Sequence, residues 1–239
     1  MATLLRAVVV IPTYNEQENI EALLAAIFGL NIGLHVLVVD DHSPDGTAEM
    51  VMRLQSYYPD VLHLLNRSEK EGLGRAYLAG FAWALTYPYD YICTMDGDFS
   101  HAPTDLPRLL TMCADPTIDM VIGSRYITGG RVINWPLMRR VLSHMANWFA
   151  RSITGIPIKD TTAGFICYRR TLLKHILKIA SVGYSFQVEI KFLAYQYGAN
   201  MVELPITFIN RVRGKSKMGL IMAGESFFRL IQMKWKSWR

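Results

Sequence analysis

The sequence lacks the features that mark membrane-spanning, secreted and disulfide-rich proteins. No apolar run reaches the roughly 18 residues of a membrane-spanning helix. The N-terminus has no signal-peptide pattern, since Pro12 follows Arg6 almost at once. The three cysteines, Cys93, Cys113 and Cys167, are widely spaced and match no zinc or redox motif. We therefore expect a cytosolic protein whose thiols are reduced and lie in the core.

Internal repeats, low-complexity tracts and linkers are also missing. Gly72 and Gly74 are not followed by the Lys-Ser/Thr of a P-loop, so they predict close helix packing rather than a phosphate cradle. A chain of 239 residues is long enough for one large α/β domain. We predict a main domain over residues 1–218, followed by an amphipathic basic helix over residues 219–239.

Acidic side chains are scarce in two segments of the chain. Residues 125–170 carry eight Lys/Arg and one acid, and residues 205–239 carry the same numbers. The rest of the chain has a net charge of −9, which leaves +5 for the whole protein. Two basic segments on an otherwise acidic protein favour phosphate groups or an anionic surface as the partner.

The first half of the chain alternates predicted strands with predicted helices. Residues 7–11 and 35–39 are continuous apolar runs, which indicates strands covered on both faces, as in a parallel sheet. Further strands are predicted at 61–65, 90–94 and 120–123. Helices are predicted at about 15–28, 47–57, 72–85 and 103–113. This order predicts an α/β, Rossmann-like, mostly parallel sheet with ligands at the carboxyl ends of its strands.

Asp96-Gly97-Asp98 directly follows one of these predicted strands. Two carboxylates one residue apart at such a place can hold a hard divalent cation against phosphate oxygens. Gly97 between them lets a ligand approach the backbone closely. An Asp-x-Asp pair taken alone also fits a solvated turn. We expect His101 to be a hydrogen-bonding loop residue rather than a ligand.

The pattern changes after Arg125. A helix is predicted over 135–154, a short strand near 165–168, a helix after Arg170 and one strand over 202–209, with Arg169-Arg170 in a solvated turn. The helix from Gly219 carries an apolar stripe and an opposite basic face, as interfacial helices do, although core packing explains the stripe too. The stripe consists of Phe227, Phe228, Ile231, Trp235 and Trp238.

Several motifs, taken together and in order, resemble those of a known family. Ile11-Pro12-Thr13-Tyr14-Asn15-Glu16, Val39-Asp40-Asp41 with Ser43-Pro44-Asp45-Gly46-Thr47, and Met95-Asp96-Gly97-Asp98 resemble family-2 glycosyltransferases of the GT-A fold. Gly123-Ser124-Arg125-Tyr126, Trp135-x-x-x-Arg139-x-x-x-Ser143, Asp160-x-Thr162-x-Gly164-Phe165 and Arg211-x-x-Gly214-x-Ser216-Lys217 are similar to the polyprenol- or dolichol-phosphate mannose synthases among them. The resemblance covers nearly the whole chain. Many relatives carry C-terminal membrane spans, which this sequence does not show.

This resemblance implies a role for individual residues. The guanosine of GDP-mannose would be held by Pro12, Tyr14, Glu16, Val39 and Asp41. Asp96, Gly97 and Asp98 would lie along the ribose and diphosphate, with Asp96, Asp98 and Ser100 as ligands of Mg²⁺ or Mn²⁺. Phosphates would be contacted by Arg125, Arg211 and Lys217, and the lipid phosphate by Arg139 and Ser143. Catalysis would depend chiefly on Asp96, Asp98, Arg125 and Arg211. The family often has Ala at the position of Gly97 and a basic residue at that of Ile166.

The chemistry of such a transfer depends on its acceptor. A hydroxyl acceptor needs a catalytic base, for which Glu189 would be a candidate. A lipid phosphate is already anionic at pH 7 and needs arginines instead, and direct in-line attack would invert the anomeric centre. The implied partners are GDP-mannose, a polyprenyl phosphate and a membrane surface on its cytoplasmic face, with a separate membrane-anchoring subunit as a further candidate.

Three other functions fit parts of the sequence. A UDP-sugar transferase acting on the same lipid phosphate is not separated from a mannosyltransferase by Asp41. An inactive nucleotide-sugar-binding subunit is disfavoured by the intact set of Asp96, Asp98, Arg125 and Arg211. A nucleic-acid-binding protein is suggested by the basic charge, but no RNA-binding signature accompanies it, so we expect no nucleic-acid partner.

Overall fold

A computed structural model of the chain describes residues 6–177 and 186–210. The strands are β1 (Ala7–Thr13), β2 (His35–Asp40), β3 (Leu62–Asn66), β4 (Tyr91–Thr94), β5 (Met120–Ser124), β6 (Arg131–Ile133), β7 (Ile166–Arg169), β8 (Met201–Pro205) and β9 (Thr207–Ile209). The helices are α1 (Gln17–Phe28), α2 (Thr47–Leu54), α3 (Leu73–Thr86), α4 (Leu106–Cys113), α5 (Leu137–Thr154), α6 (Arg170–Ile176) and α7 (Phe186–Gln196). A short 3-10 helix, Pro103–Asp105, precedes α4. The helix predicted over 219–239 lies outside the described residues.

Seven of these strands form one sheet in the order β3-β2-β1-β4-β7-β5-β8. Four of its strand pairs are parallel, and β7 is antiparallel to both of its neighbours. The predicted mostly parallel α/β sheet is therefore confirmed. Strand order runs from β1 outward to β3 and then returns to β4 on the other side of β1. Such a reversal leaves a crevice at the carboxyl ends of β1 and β4, where open α/β sheets bind ligands.

Both faces of the sheet are covered by helices, as the continuous apolar runs predict. Val8 and Val10 of β1 belong to one hydrophobic cluster, together with buried side chains of α3, α6 and α7. Val9 and Ile11 belong to a second cluster, together with buried side chains of α1, α2 and α4. The free thiols of Cys93, Cys113 and Cys167 are buried, as expected for core residues.

The single strand predicted over residues 202–209 is wrong. The chain instead forms β8, which pairs with β5, and β9, which pairs with β6 in a separate two-stranded sheet. Pro205 ends β8 because proline has no N–H to continue a ladder, and the chain crosses between sheets at Ile206. Neither β6 nor this small sheet was predicted, since three-residue strands carry little pattern.

The solvated turn predicted at Arg169-Arg170 is also wrong. Arg169 ends β7 and Arg170 begins α6. Nη2 of Arg169 donates to the carbonyl of Cys113 at 2.8 Å, and Nη2 of Arg170 donates to the carbonyl of Leu85 at 2.6 Å. The two guanidinium groups therefore satisfy carbonyls at the ends of α3 and α4, which the sequence pattern alone does not reveal.

Candidate active site

The carboxyl ends of β1, β2 and β4 lie side by side, and each is followed by a residue with left-handed backbone. These residues are Asn15 (φ 56°), His42 (φ 60°) and Phe99 (φ 59°). Residues other than glycine rarely adopt this conformation, and it is enriched at functional sites. The three turns bring the segments that carry the predicted nucleotide and metal residues to one edge of the sheet.

Asp40 and Asp41 end β2 with different partners. Asp40 is fully buried and accepts hydrogen bonds from the Thr13 hydroxyl at 2.8 Å and the Ser43 N–H at 2.8 Å. Asp41 pairs with the guanidinium of Arg67 and accepts the N–H of Gly72 at 3.0 Å. Asp40 therefore joins β1 to the turn after β2, while Asp41 joins that turn to the start of α3. Sequence analysis missed Arg67.

The other residues predicted to hold the nucleoside surround the end of β1. Pro12 pairs in register with Val39 of β2. The Lys70 ammonium lies 3.7 Å from the centre of the Tyr14 ring. Glu16 is largely buried and accepts a hydrogen bond from the side chain of Asn19 at 3.0 Å. The structure brings this set together at one strand end, and its role in binding guanosine remains a prediction.

Asp96, Gly97, Asp98 and Ser100 form a tight loop directly beyond β4. Asp98 accepts the backbone N–H of Ser100 at 3.0 Å, which orients its carboxylate, and the Ser100 residue is buried. Asp96 accepts a hydrogen bond from the Tyr77 hydroxyl at 3.4 Å, and about a third of its side chain is exposed. Burial and the nearby Asp96 charge raise the pKa of Tyr77, so this hydroxyl remains a donor.

This loop offers oxygen donors that suit a hard divalent cation. Asp96, Asp98 and Ser100 supply two carboxylates and a hydroxyl, which is the ligand chemistry of Mg²⁺ and Mn²⁺. Within residues 6–177 and 186–210, no three His, Cys, Asp or Glu side chains converge as a metal site. Two carboxylates and one hydroxyl leave coordination positions of a six-coordinate cation open to water or to substrate oxygens.

The prediction that His101 forms hydrogen bonds within the loop is wrong. The residue is 2 % exposed, and neither ring nitrogen has a hydrogen-bond partner in the described part of the chain. Its ring stacks on Phe165 at 4.9 Å and meets the edge-on Phe208 ring at 5.0 Å. Its Nε2 lies 3.4 Å from a carboxylate oxygen of Asp96, too poorly aligned for a hydrogen bond. Packing against Phe165 and Phe208 therefore holds the His101 ring next to Asp96.

Arg125, which follows β5, is held in a buried ion pair. Its Nε and Nη2 each lie 2.7 Å from a different oxygen of Asp160, and Nη2 also donates to the Thr162 hydroxyl at 2.8 Å. Burial opposes the charged carboxylate, but the adjoining guanidinium outweighs it and keeps the pKa of Asp160 below its ordinary value. The side chain of Arg125 is 9 % exposed. In this conformation its charge is matched by Asp160, and its predicted contact with phosphate remains a prediction.

The loop that carries Asp160 is fixed from three further elements. The Glu203 carboxylate accepts the N–H groups of Lys159 and Asp160, and the Asn147 amide accepts the Thr161 hydroxyl at 2.9 Å. The Lys191 ammonium donates to the carbonyl of Ala163 at 2.7 Å. A Cβ at Gly164 would lie 3.6 Å from an oxygen of Asp96. This loop, residues 159–164, therefore forms a wall between the carboxylates of Asp96 and Asp98 and the side chain of Arg125.

Sequence analysis missed the residues that anchor this wall. Lys191 is fully buried in α7, and desolvation lowers its pKa from the ordinary value to about 7. A single lysine inside the apolar stretch 186–196 was the available signal. Glu189, the candidate base of a hydroxyl-acceptor enzyme, is likewise buried in the first turn of α7.

Arg139 and Ser143 lie one turn apart on α5. The Arg139 guanidinium lies 4.0 Å from the centre of the Trp135 ring and donates to Asn210 at 2.8 Å. The Ser143 hydroxyl accepts a hydrogen bond from the Tyr126 hydroxyl at 2.6 Å. Arg211 and Lys217, also predicted to contact phosphate, lie outside the described residues.

A basic cleft of about 300 Å³ lies between α5 and the loop after β5. Arg131, Arg140 and His144 line it together with Tyr126 and Arg125, and its lining includes no acidic side chain from the described part of the chain. Sequence analysis assigned no role to Arg131 or Arg140. An anionic group in this cleft would meet guanidinium groups whose charge Asp160 does not neutralise.

The sequence matches a known protein family over most of its length. Residues 8–177 match the family described as glycosyl transferase family 2. The match covers more than half of the chain, so the protein belongs to this family and is a glycosyltransferase.

Two relatives are similar to this chain over most of their length. The chain is 44 % identical over 229 residues to the polyprenol monophosphomannose synthase of Mycolicibacterium smegmatis, covering 95 % of this chain and 86 % of the relative. It is 43 % identical over 224 residues to the undecaprenyl-phosphate mannosyltransferase of Micrococcus luteus, covering 93 % of this chain and 91 % of the relative.

Solved structures share the fold at low sequence identity. The glucosyl-3-phosphoglycerate synthase of Mycobacterium tuberculosis, solved with Mn²⁺, UDP and phosphoglyceric acid, gives a TM-score of 0.69 at 18 % identity, covering 97 % of this chain and 77 % of that one. The mannosyltransferase PcManGT of Pyrobaculum calidifontis was solved with GDP-Man and Mn²⁺. It gives a TM-score of 0.58 at 21 % sequence identity, covering 88 % of this chain and 58 % of that one. These likenesses confirm the GT-A-like architecture.

Proposed function

We propose that this protein transfers mannose from GDP-mannose to a polyprenyl phosphate in a metal-dependent, inverting reaction that gives a polyprenyl-phosphate β-mannose. The observation that carries the proposal is 44 % identity, over 95 % of the chain, to a polyprenol monophosphomannose synthase. The edge of the sheet that carries the Asp96 and Asp98 loop supports it, since carboxylates at this position suit a nucleoside diphosphate and its cation.

The donor would lie along the carboxyl ends of β1, β2 and β4. Guanosine would contact the residues around the β1 and β2 ends, namely Pro12, Tyr14, Glu16, Val39 and Asp41. Asp96, Asp98 and Ser100 would hold Mg²⁺ or Mn²⁺ beside the diphosphate, with the backbone of Gly97 along the ribose. When bound, such a cation offsets the negative charge that develops on the leaving diphosphate.

The acceptor phosphate needs charge compensation rather than a base. A phosphate monoester has a second pKa of about 6, so it is already a nucleophilic anion at pH 7. The buried position of Glu189 fits a structural role better than proton abstraction. Arg131, Arg140 and His144 of the basic cleft, with Arg139 nearby on α5, would offset repulsion between the acceptor phosphate and the donor diphosphate.

Direct attack of this phosphate oxygen on the anomeric carbon forms the new C–O bond as the bond to GDP breaks. One displacement inverts the centre, so an α-linked donor gives a β-linked product. NMR of the purified product would report the linkage, and an α-linkage would contradict the single displacement.

A lipid acceptor also requires access to a membrane. Within the two described ranges, no helix has both the length and the hydropathy needed to cross one. We propose that the protein works at the cytoplasmic face as a peripheral enzyme, and a membrane-anchoring subunit is a further candidate partner.

The decisive experiment offers labelled GDP-mannose and labelled UDP-glucose separately, each with polyprenyl phosphate. We expect lipid-linked label only from GDP-mannose. Label from UDP-glucose alone would replace the proposal with the alternative glucosyl transfer. Asp98→Asn should lower transfer by at least about 100-fold, because a neutral amide is a poor cation ligand. The matched control is the exposed Asp115→Asn, which should retain activity.

Arg139→Ala tests the acceptor site. We expect the KM for polyprenyl phosphate to rise about tenfold, corresponding to one lost charge-assisted contact, while the KM for GDP-mannose stays unchanged. Arg53→Ala, on the exposed side of α2, is the control. An unchanged acceptor KM in Arg139→Ala would refute this assignment.

A further inference from the structure

Helix α5 presents an apolar face to the outside of the molecule. Six large apolar side chains recur at helical spacing along it, and each is between 44 % and 76 % exposed. They are Leu137, Met138, Val141, Leu142, Met145 and Trp148, which we call the α5 apolar face. Large contiguous apolar patches are uncommon on soluble monomers and mark interaction sites.

The opposite side of α5 packs against the protein mainly through polar groups, since its buried residues are Asn147, Thr154 and Ala150. Asn147 is buried and hydrogen bonds with Thr161 and Thr162, and Ser143 accepts the hydroxyl of Tyr126. A surface helix of a globular protein normally turns its apolar stripe inward and its polar side toward water. The polarity of α5 is the reverse, so the environment outside α5 should be apolar.

The charges on α5 indicate which apolar environment fits. The helix contains Arg139, Arg140 and Arg151 and no acidic residue. Arg140 and Arg151 lie at helical spacing along one border of the apolar face, and Arg140 lines the basic cleft. An apolar face bordered by arginines is the pattern of helices that lie in the interface of an anionic bilayer.

We propose that the α5 apolar face inserts into the surface of a membrane containing anionic phospholipids. The inference rests on the proposed function in one respect, namely that a lipid acceptor gives the enzyme a reason to bind a bilayer. It assigns membrane contact to a described element that sequence analysis did not consider for this role. Insertion of α5 would place the basic cleft at the level of the lipid head groups.

Two other occupants are disfavoured by charge. A second copy packed through the same face would bring the arginines of α5 close to their own counterparts. Residues 211–239 carry eight Lys/Arg and one acid, so this segment has the same sign of charge as α5. Anionic lipid complements both the apolar face and its basic border.

The first test places a polarity-sensitive nitrobenzoxadiazole label on the full-length chain through Trp148→Cys. The native cysteines are buried and should not react in the folded protein. We expect label emission to strengthen and shift to shorter wavelength with vesicles of phosphatidylglycerol and phosphatidylcholine. The matched control is a label at Tyr57→Cys, in the turn after α2, where the native side chain is exposed, and it should not respond.

The second test measures vesicle binding by sedimentation. Leu142→Ser and Met145→Ser should each weaken binding about tenfold, because each removes one inserted apolar side chain. Arg151→Gln should weaken binding to the anionic vesicles about fivefold, with little change on phosphatidylcholine alone. Met52→Ser, exposed on α2, should bind as the unaltered protein does.

Three results would overturn the inference. One is a label at position 148 that does not respond to vesicles. The second is unchanged vesicle binding in the Leu142→Ser and Met145→Ser variants. The third is a blue-shifted label without vesicles in a protein that sediments as a dimer, which would assign the face to a second copy. If the protein binds vesicles as expected but forms no lipid-linked sugar, the proposed function is refuted, while the inference that α5 contacts a membrane stands.

Discussion

At the residue scale, three aspartates near strand ends differ in their surroundings. They are Asp40, which ends β2, and Asp96 and Asp98, which follow β4. Asp40 is fully buried and its oxygens accept hydrogen bonds from Thr13 and Ser43. Asp96 is about one-third exposed beside Tyr77 and His101, and Asp98 is oriented by the N–H of Ser100. The proposed function assigns a cation-binding role to the latter two and a structural role to Asp40.

Gly97, between Asp96 and Asp98, allows a prediction about the stability of the loop that follows β4. A Cβ built there would meet nothing closer than 3.4 Å, and its φ is not positive. We expect Gly97→Ala to raise the free energy of unfolding by about 0.4–1 kcal/mol, by restricting the unfolded chain, with transfer activity retained. Urea unfolding measures the first quantity and product formation the second.

Gly130 provides the matched contrast. A Cβ there would lie 2.7 Å from the backbone of Ser124 and Arg125, which cannot move without displacing the buried ion pair. Gly130→Ala should therefore lower the free energy of unfolding by about 2 kcal/mol. Similar stabilities for the two alanine variants would contradict this account of the two loops.

At the element scale, the wall formed by residues 159–164 depends on side chains from four separate places. Arg125 follows β5, Asn147 belongs to α5, Lys191 to α7 and Glu203 to β8. Breaking a buried pair such as Arg125–Asp160 leaves an uncompensated charge, which is far more destabilising than losing an exposed pair. The wall next to Asp96 is therefore rigid because several elements hold it at once.

Lys191 makes the stability of this assembly depend on pH. Burial lowers its pKa to about 7, whereas the unfolded chain should titrate near 10.5. Between these values the unfolded state binds a proton that the folded state does not, so folding is favoured as pH rises through 7. We expect the stability of the unaltered protein, relative to Lys191→Met, to increase by about 2 kcal/mol from pH 7 to 9.

Chemical unfolding at a series of pH values measures this difference. The exposed Lys159→Met is the control and should show a pH profile parallel to that of the unaltered protein. A constant difference between Lys191→Met and the unaltered protein across this range would mean that Lys191 does not change its protonation there.

The elements that could be predicted are those whose sequence pattern is local. Continuous apolar runs such as 7–11 and 35–39 identify strands buried on both faces, and the Asp-x-Asp loop follows from its place after such a strand. The partners of Arg169 and Arg170, the ion pair of Arg125 and the split at Ile206 depend on segments distant in sequence. The sequence near each of these residues contains no signal for such distant pairings. The outward apolar face of α5 could not be predicted either, because its helical pattern fits inward packing equally well.

At the scale of the whole molecule, the charge distribution matches the two ends of the proposed reaction. The carboxylates at the ends of β2 and β4 belong to the acidic remainder of the chain, while α5 and the basic cleft belong to the basic segment 125–170. The cation would bind on the acidic side with the nucleotide, and the acceptor phosphate would approach from the basic side. Under the proposed function, this asymmetry would favour opposite ends of the site for the two anionic substrates.

Binding of nucleotide and cation should therefore stabilise the whole fold only when both are present. With GDP and Mn²⁺ at about 100 times the Kd, the linkage between binding and folding predicts about 2.7 kcal/mol of added stability. For a chain of this size, that corresponds to a rise in Tm of about 5–10 °C by scanning calorimetry. Chelation of the metal, or Asp98→Asn, should remove most of the shift, because the diphosphate then faces the carboxylates without a cation. An equal shift with GDP and chelator would refute the metal-loop assignment, and an equal or larger shift with UDP would refute the preference for guanosine.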